Sequence, residues 1–275
     1  MAKGRDYVEF YESLGKYYPE TSLVHAYKGV TSRYLAVIRE LRPFATTRSL
    51  LLDAGCNDGV YTIPYCEMGG TALGIDVAGS LLARARALSE GIPSAYYLRA
   101  DICNWSARPV FDLVLMADIL EHVSHPELAL TNAKNSLKPY GNLLISTPTP
   151  LMEVRKGDSL VSRLFPINRR YVHDLLSHKL SEPQVINTGK TVLQVYLPHA
   201  WSYRHDAYYP TGLCDYIESF GFKCVKRGTI RTVQPFPMRF WKCVEPSLKL
   251  LEFARRKIPF LSMLGETTIA LFKLK

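Results

Sequence analysis

No uninterrupted apolar stretch in these 275 residues approaches the roughly 18 that a membrane-spanning helix requires. The first residues, Met1-Ala2-Lys3-Gly4-Arg5-Asp6, lack the apolar core of a secretory signal. Six cysteines, Cys56, Cys66, Cys103, Cys214, Cys224 and Cys243, are scattered with no C-x-x-C pairing. That spacing argues against a zinc site or a disulfide framework and fits a reducing, cytoplasmic setting. Internal repeats and low-complexity tracts are absent. Acids are in deficit, 25 against 34 lysines and arginines, for a formal net charge of +9. One core can account for a chain of this length, so a single domain with elaborations is expected rather than two domains.

A dinucleotide fingerprint is missing too. That motif demands glycines in the register G-x-G-x-x-G. The candidate stretch, Leu50-Leu51-Leu52-Asp53-Ala54-Gly55-Cys56-Asn57-Asp58-Gly59, replaces the middle glycine by Asn57 and carries an acid at Asp58. A diphosphate would meet negative charge there. What the stretch offers instead is a buried apolar strand that breaks into a tight turn and a helix start. Gly55 and Gly59 lack a Cβ, so the turn can take φ > 0 and a ligand can lie against main-chain N–H groups. Asp53, at the strand's end, is placed to accept a hydrogen bond from a ligand ammonium. The combination suits an amino-acid-bearing nucleotide.

Strand-like and helix-like segments alternate from Leu50 to Ile145, as a doubly wound α/β sheet requires. Thr71–Asp76 reads as a second strand ending in an acid about twenty residues past the glycine turn, where a carboxylate commonly accepts both ribose hydroxyls. Asp76 is the expected ribose ligand; its alternative role is to cap the helix around Ser80 to Ala87. Ala95–Ile102 gives a third strand with Asp101 at its end, and Phe111–Asp118 a fourth, followed by Ile119-Leu120-Glu121-His122-Val123.

The Asp53–Gly59 turn resembles the first motif, D/E-x-G-x-G-x-G, of class I S-adenosylmethionine-dependent methyltransferases. Ile119-Leu120-Glu121-His122-Val123-Ser124-His125-Pro126 and Leu137-Lys138-Pro139-Tyr140-Gly141-Asn142-Leu143-Leu144-Ile145-Ser146-Thr147-Pro148 are similar to the "LEHV-x-x-P … LKPGG-x-L-x-x-S-T-P" signature of the small-molecule branch, above all the ubiquinone-biosynthesis O-methyltransferases. Asn57 and Tyr140 stand where that family usually has glycine. The resemblance implies a Rossmann-like, seven-stranded, mostly parallel sheet with one antiparallel strand and helices on both faces. It implies S-adenosyl-L-methionine as methyl donor, leaving as S-adenosyl-L-homocysteine. Its ligands would be Tyr18, Asp53, Gly55, Cys56, Asn57, Gly59, Asp76, Val77, Asp101, Ile102, Ala117 and Asp118. Tyr17 competes with Tyr18 for the methionyl end, and an aromatic face packed on the sheet accounts for both equally well.

The reaction would be in-line displacement at the methyl group, most simply by an oxygen of a small molecule. Where the nucleophile carries a proton, histidine has the right intrinsic pKa to remove it; the candidates are His122, His173 and His205, with His199 beside them. His122 also reads as a structural part of the Glu-His-Val motif. The resemblance to the ubiquinone branch also suggests an acid-x-x-Glu-His site for a divalent cation, which Asp118, Glu121 and His122 would form, but relatives with the same Glu-His pair need none, and no metal is assigned.

Residues 1–45 are expected to form a helical cap and 46–275 the catalytic domain, with a lid insertion at about 150–205 and a basic, apolar helical insertion at about 235–262. The lid mixes Arg155, Arg163, Arg169 and Arg170 with Phe165, Tyr171 and Trp201, which implies an anionic or aromatic acceptor. Residues 236–260 suit a membrane interface, a packed helix or a homodimer contact. A lipid or quinone precursor at a membrane is therefore one alternative acceptor and RNA, drawn by the positive charge, another. Against nucleic acid stand the lack of an Asn-Pro-Pro-Tyr-like motif, of a cysteine beside the fourth strand and of an appended RNA-binding domain. Tyr208–Phe222 resembles the family's "F-T-x-x-x-L-x-x-L-x-x-x-G-F" helix, so Lys223–Thr232 and Thr267–Lys273 are the expected last two strands.

Overall fold

The computed structural model describes Glu12 and residues 32–149, 192–194, 206–208, 210–230 and 267–275. Among these residues seven strands form one sheet: β1 Leu50–Ala54, β2 Thr71–Asp76, β3 Ala95–Arg99, β4 Phe111–Ala117, β5 Leu137–Pro148, β8 Phe222–Ile230 and β9 Thr267–Leu274. Their order is β3-β2-β1-β4-β5-β9-β8. β9 alone runs against its neighbours β5 and β8, so the sheet is mostly parallel with one reversed strand. From β1 the chain winds outward through β2 to β3, then returns to β4 on the other side of β1. The crevice beyond the carboxyl ends of β1 and β4 is therefore the switch point of the topology, where open α/β sheets bind ligands.

Buried apolar runs make the central strands β1, β4 and the latter part of β5, because both faces of the sheet are covered there. Side chains alternate between the faces. Leu52, Val114, Met116, Leu143 and Ile145 face helices α4 (Pro126–Ser136) and α5 (Pro210–Glu218). Leu51, Leu113, Leu115 and Leu144 face α1 (Ser32–Leu41) and α2 (Thr62–Glu67). Helix α1 presents Tyr34, Val37 and Leu41, one per turn, to that core. Pro126 opens α4, where its missing N–H costs nothing. Gly221, at φ 92, follows α5 and turns the chain into β8.

Most sequence-derived boundaries agree with these to within two residues, with one difference: strand β3 ends at Arg99, ahead of Asp101. The segment after β4, which reads from the sequence as a loop or a helix, is a run of turns up to Pro126. A short antiparallel pair, β6 (Val192–Gln194) with β7 (Asp206–Tyr208), had no signal in the sequence. It joins the end of the expected lid to the residues that precede α5. Of the expected cap, Glu12 and residues 32–45 are described. Tyr17, Tyr18, His173, His199, His205 and the 235–262 insertion lie outside the described residues. Among the described residues no helix is long and apolar enough to cross a membrane.

Tyr140 sits where the pairing of β4 with β5 slips between Phe111↔Leu137 and Leu113↔Asn142. Its φ is 61, a left-handed conformation that glycine adopts freely and other residues do not. With the side chain 70% exposed, backbone strain dominates over packing. Truncation to Tyr140→Gly should therefore leave the protein about 1 kcal/mol more stable than truncation to Tyr140→Ala. Chemical denaturation of the two variants checks this, and the reverse order would contradict the left-handed turn.

Candidate functional site

At the carboxyl end of β1 every second residue is left-handed: Gly55 at φ 75, Asn57 at 54 and Gly59 at 90. The turn folds over the tip of β2. The N–H groups of Gly55 and Cys56 both donate to the carbonyl of Ile75, at 2.8 and 3.0 Å. Asn57 can occupy its position because its own side-chain oxygen accepts from the Asp58 N–H at 2.8 Å. Gly59 donates to the Cys56 carbonyl at 2.9 Å and its own carbonyl accepts from Ile63, in the first turn of α2. A methyl group at Gly55 would collide with the Ile119 side chain.

Asp53 lies beneath this turn. Its carboxylate is 1% exposed and accepts the Thr62 hydroxyl at 2.7 Å. Loss of hydration is the main reason that its pKa is pushed up to about 7, against the hydrogen bonds from Thr62. This placement differs from the open, ammonium-facing position expected from the sequence: burial under α2 makes Asp53 a support of the turn. Gly74 in β2 makes room for it, since a Cβ there would come within 2.9 Å of the Thr62 hydroxyl and 2.7 Å of the Cys56 sulfur. Neither Thr62 nor Gly74 stood out in the sequence.

Asp76 ends β2 with both carboxylate oxygens engaged. One accepts the Asn57 N–H, the other the Ala78 N–H, each at 2.9 Å. Dehydration raises its pKa, these amides oppose the rise, and the nearby Glu12 charge adds to it. It does not cap the following helix, α3 (Gly79–Leu88), whose N-cap is Ala78 with no side-chain bond. Val77 is half-buried, and its carbonyl accepts from the Arg99 Nε at 3.0 Å. Asp101 is half-buried and accepts from the Cys103 N–H and the Asn104 side chain, both at 2.9 Å. Ile102 and Cys56 are directed into the protein, 4% and 2% exposed, so contact with a ligand through their side chains is not supported.

Next to the turn, past half-buried Ala117, Asp118 holds φ 55. It accepts the Ser146 hydroxyl at 3.2 Å and pairs with Arg33 of α1 at 3.0 Å. Three residues on, Glu121 is buried and accepts the Thr147 hydroxyl at 3.0 Å. Burial and the Asp118 charge push its pKa well up, with Arg33 opposing. Ser146 and Thr147 are consecutive in β5 and point to opposite faces, so the two carboxylates are drawn to different sides of the sheet. His122 is half-buried, and its backbone N–H donates to the Ile119 carbonyl at 2.9 Å. No group of three or more His, Cys, Asp or Glu set to hold a metal ion occurs among the described residues. The Arg33 contact, which ties Asp118 to α1, had no local signature.

The geometry thus brings Asp53, Gly55, Asn57, Gly59 and Asp76 together around one turn at the switch point, with Ala117 and Asp118 at the end of the neighbouring strand. The family signature of the methyltransferase domain covers residues 52–145, the segment that builds this turn and both flanking carboxylates. By this match, residues 52–145 are similar to a methyltransferase domain. Over 146 residues the chain is 32% identical to a ubiquinone biosynthesis O-methyltransferase of Dinoroseobacter shibae, covering 50% of this chain and 58% of that relative. The chain spans 54% to 65% of the length of the first three curated relatives it matches. An S-adenosylmethionine-dependent methyltransferase of Mesorhizobium loti superposes with a TM-score of 0.57 at 20% identity, over 88% of this chain and 98% of that one. A 1,6-didemethyltoxoflavin-N1-methyltransferase of Burkholderia thailandensis, solved with S-adenosylhomocysteine, does so with 0.60 at 13% identity, over 100% and 92%. At such identities the likeness is one of fold.

Buried carboxyls give this part of the chain a predictable response to pH. Asp53 binds its proton more tightly when folded, near pH 7, than its ordinary value of 3.8, and Asp76 and Glu121 shift in the same direction. Between those values the folded state holds more protons than the unfolded one, so stability falls as pH rises from about 4 to about 7. Asp53→Asn should remove a share of that fall on the order of a few kcal/mol. Denaturation midpoints measured across this range check it; an unchanged slope would mean that Asp53 titrates normally.

Proposed function

We propose that this chain is an S-adenosylmethionine-dependent methyltransferase that transfers the methyl group to an oxygen of a small, aromatic or anionic acceptor by in-line displacement. The observation that carries the donor assignment is the left-handed turn at 55–59 tied to the Asp76 carboxylate. A carboxylate fixed by two amides at 2.9 Å keeps lone pairs for ribose hydroxyls and opposes a phosphate at that spot. Asp101, just past β3, adds a second carboxylate acceptor on the nucleoside side. The residues fit the group.

When bound, S-adenosylmethionine supplies a methyl group already made electrophilic by its sulfonium. What remains for the protein is alignment and exclusion of water. Gly55, Asn57 and Gly59 offer backbone to the methionyl part, Asp76 the ribose and Asp101 the adenine amino group. Arg33 fixes Asp118 beside them. His122, which follows the buried Glu121, is the general-base candidate within the described residues, and His173 and His205 are candidates from the lid. Oxygen as acceptor atom rests on the kinship with ubiquinone biosynthesis O-methyltransferases. An aromatic or anionic acceptor rests on the arginines and aromatics of residues 150–205.

Asp76→Ala should weaken binding of S-adenosylhomocysteine at least about tenfold, the equivalent of one or two hydrogen bonds to a charged group. Calorimetry gives the answer, and an unchanged affinity would sink the ribose assignment. For the acceptor, radiolabelled methyl donor is offered with a panel of catechols, phenols and amines. Label in methyl ethers is expected; label confined to the amines would overturn the choice of oxygen.

A further inference from the structure

Helix α3 begins beside the Asp76 carboxylate, yet its own sequence provides no cap. Ala78 occupies the N-cap position, and the first turn holds no acidic residue. Alanine is among the poorest N-caps, and the first N–H groups of a helix need an acceptor. That acceptor arrives from 67 residues upstream. Glu12 takes the Gly79 N–H at 2.7 Å through one carboxylate oxygen and the Ser80 N–H at 3.2 Å through the other. Its backbone carbonyl accepts the Ser80 hydroxyl at 3.3 Å. Arg99, at the end of β3, pairs with the Glu12 carboxylate at 3.4 Å while its Nε holds the Val77 carbonyl at 3.0 Å.

Every backbone N–H from Ala78 to Ser80 is therefore committed to a carboxylate, the first to Asp76 and the next two to Glu12. We propose that Glu12 is a positioning residue for the nucleoside half of the site, setting the Val77–Ser80 stretch that orients Asp76. The inference rests on the reading of this site as one for an adenosyl ligand. A negative charge at the α3 N-terminus is favourable in itself. Placed beside Asp76, it also makes that loop, and with it the ribose carboxylate, dependent on a residue outside residues 52–145.

Helix capping alone and positioning of the site make different predictions. Glu12→Ala should lose thermal stability and bind S-adenosylhomocysteine about tenfold more weakly. Adding Ala78→Ser provides a local cap whose hydroxyl reaches the freed Ser80 amide, and the double variant should regain most of the melting temperature but not the affinity. Glu12→Gln, which keeps an acceptor oxygen but not the charge, should fall between wild type and Glu12→Ala in affinity. Two results would overturn the proposal: unchanged affinity in Glu12→Ala, or full recovery of affinity in the double variant, which would reduce Glu12 to a helix cap. If the wild-type protein itself fails to bind S-adenosylhomocysteine, it is the functional reading that falls, and the two failures are told apart by that control.

Discussion

The Asp76 carboxylate is the point through which the rest of the site is connected. One oxygen holds the Asn57 amide and so the glycine turn after β1; the other holds the Ala78 amide and so the entry to α3. Two loops from neighbouring strands are thereby fixed by one side chain. Hydrogen bonds to an ionised acceptor are stronger than neutral ones, and a carboxylate losing water needs them, since dehydration pulls its pKa upward. The same pattern repeats beneath the turn, where Asp53 is held by Thr62, and beyond β4, where Glu121 is held by Thr147. The carboxyl edge of the sheet is built from acids whose charge the protein opposes by burial and supports by hydrogen bonds.

That design explains why some of the site could be read from sequence. Gly55 and Gly59 are required by backbone angles, and a backbone requirement leaves a residue-type signature. Asp76 follows from the length of one βα unit, and the continuous apolar strands follow from a sheet covered on both faces. Asn57 and Tyr140, the two departures from the family's glycines, both keep left-handed angles. The chain tolerates them in different ways, Asn57 through its own side-chain bond and Tyr140 through exposure at a slip in the pairing.

Contacts between distant segments left no such trace. Glu12 reaches α3 across 67 residues, Arg33 reaches Asp118, and Gly74 is small because Thr62 and Cys56 pack over it. None of these has a period or a spacing. Asp53 shows the opposite error: a residue type suited to a ligand at the end of a strand is here enclosed by α2. Ile102 likewise belongs to the core, because β3 ends early and the chain turns inward after Asp101. Side-chain direction at a strand end depends on what packs above it, and that information lies elsewhere in the chain.

The central claim is that the turn at 55–59 and Asp76 form one seat for an adenosyl ligand. A crystal structure of the protein with S-adenosylhomocysteine tests it most directly. The account predicts both ribose hydroxyls within hydrogen-bond distance of the Asp76 carboxylate, with the amino-acid end of the ligand over Gly55 to Gly59. A ligand bound elsewhere, or bound in the crevice with its ribose away from Asp76, would contradict it.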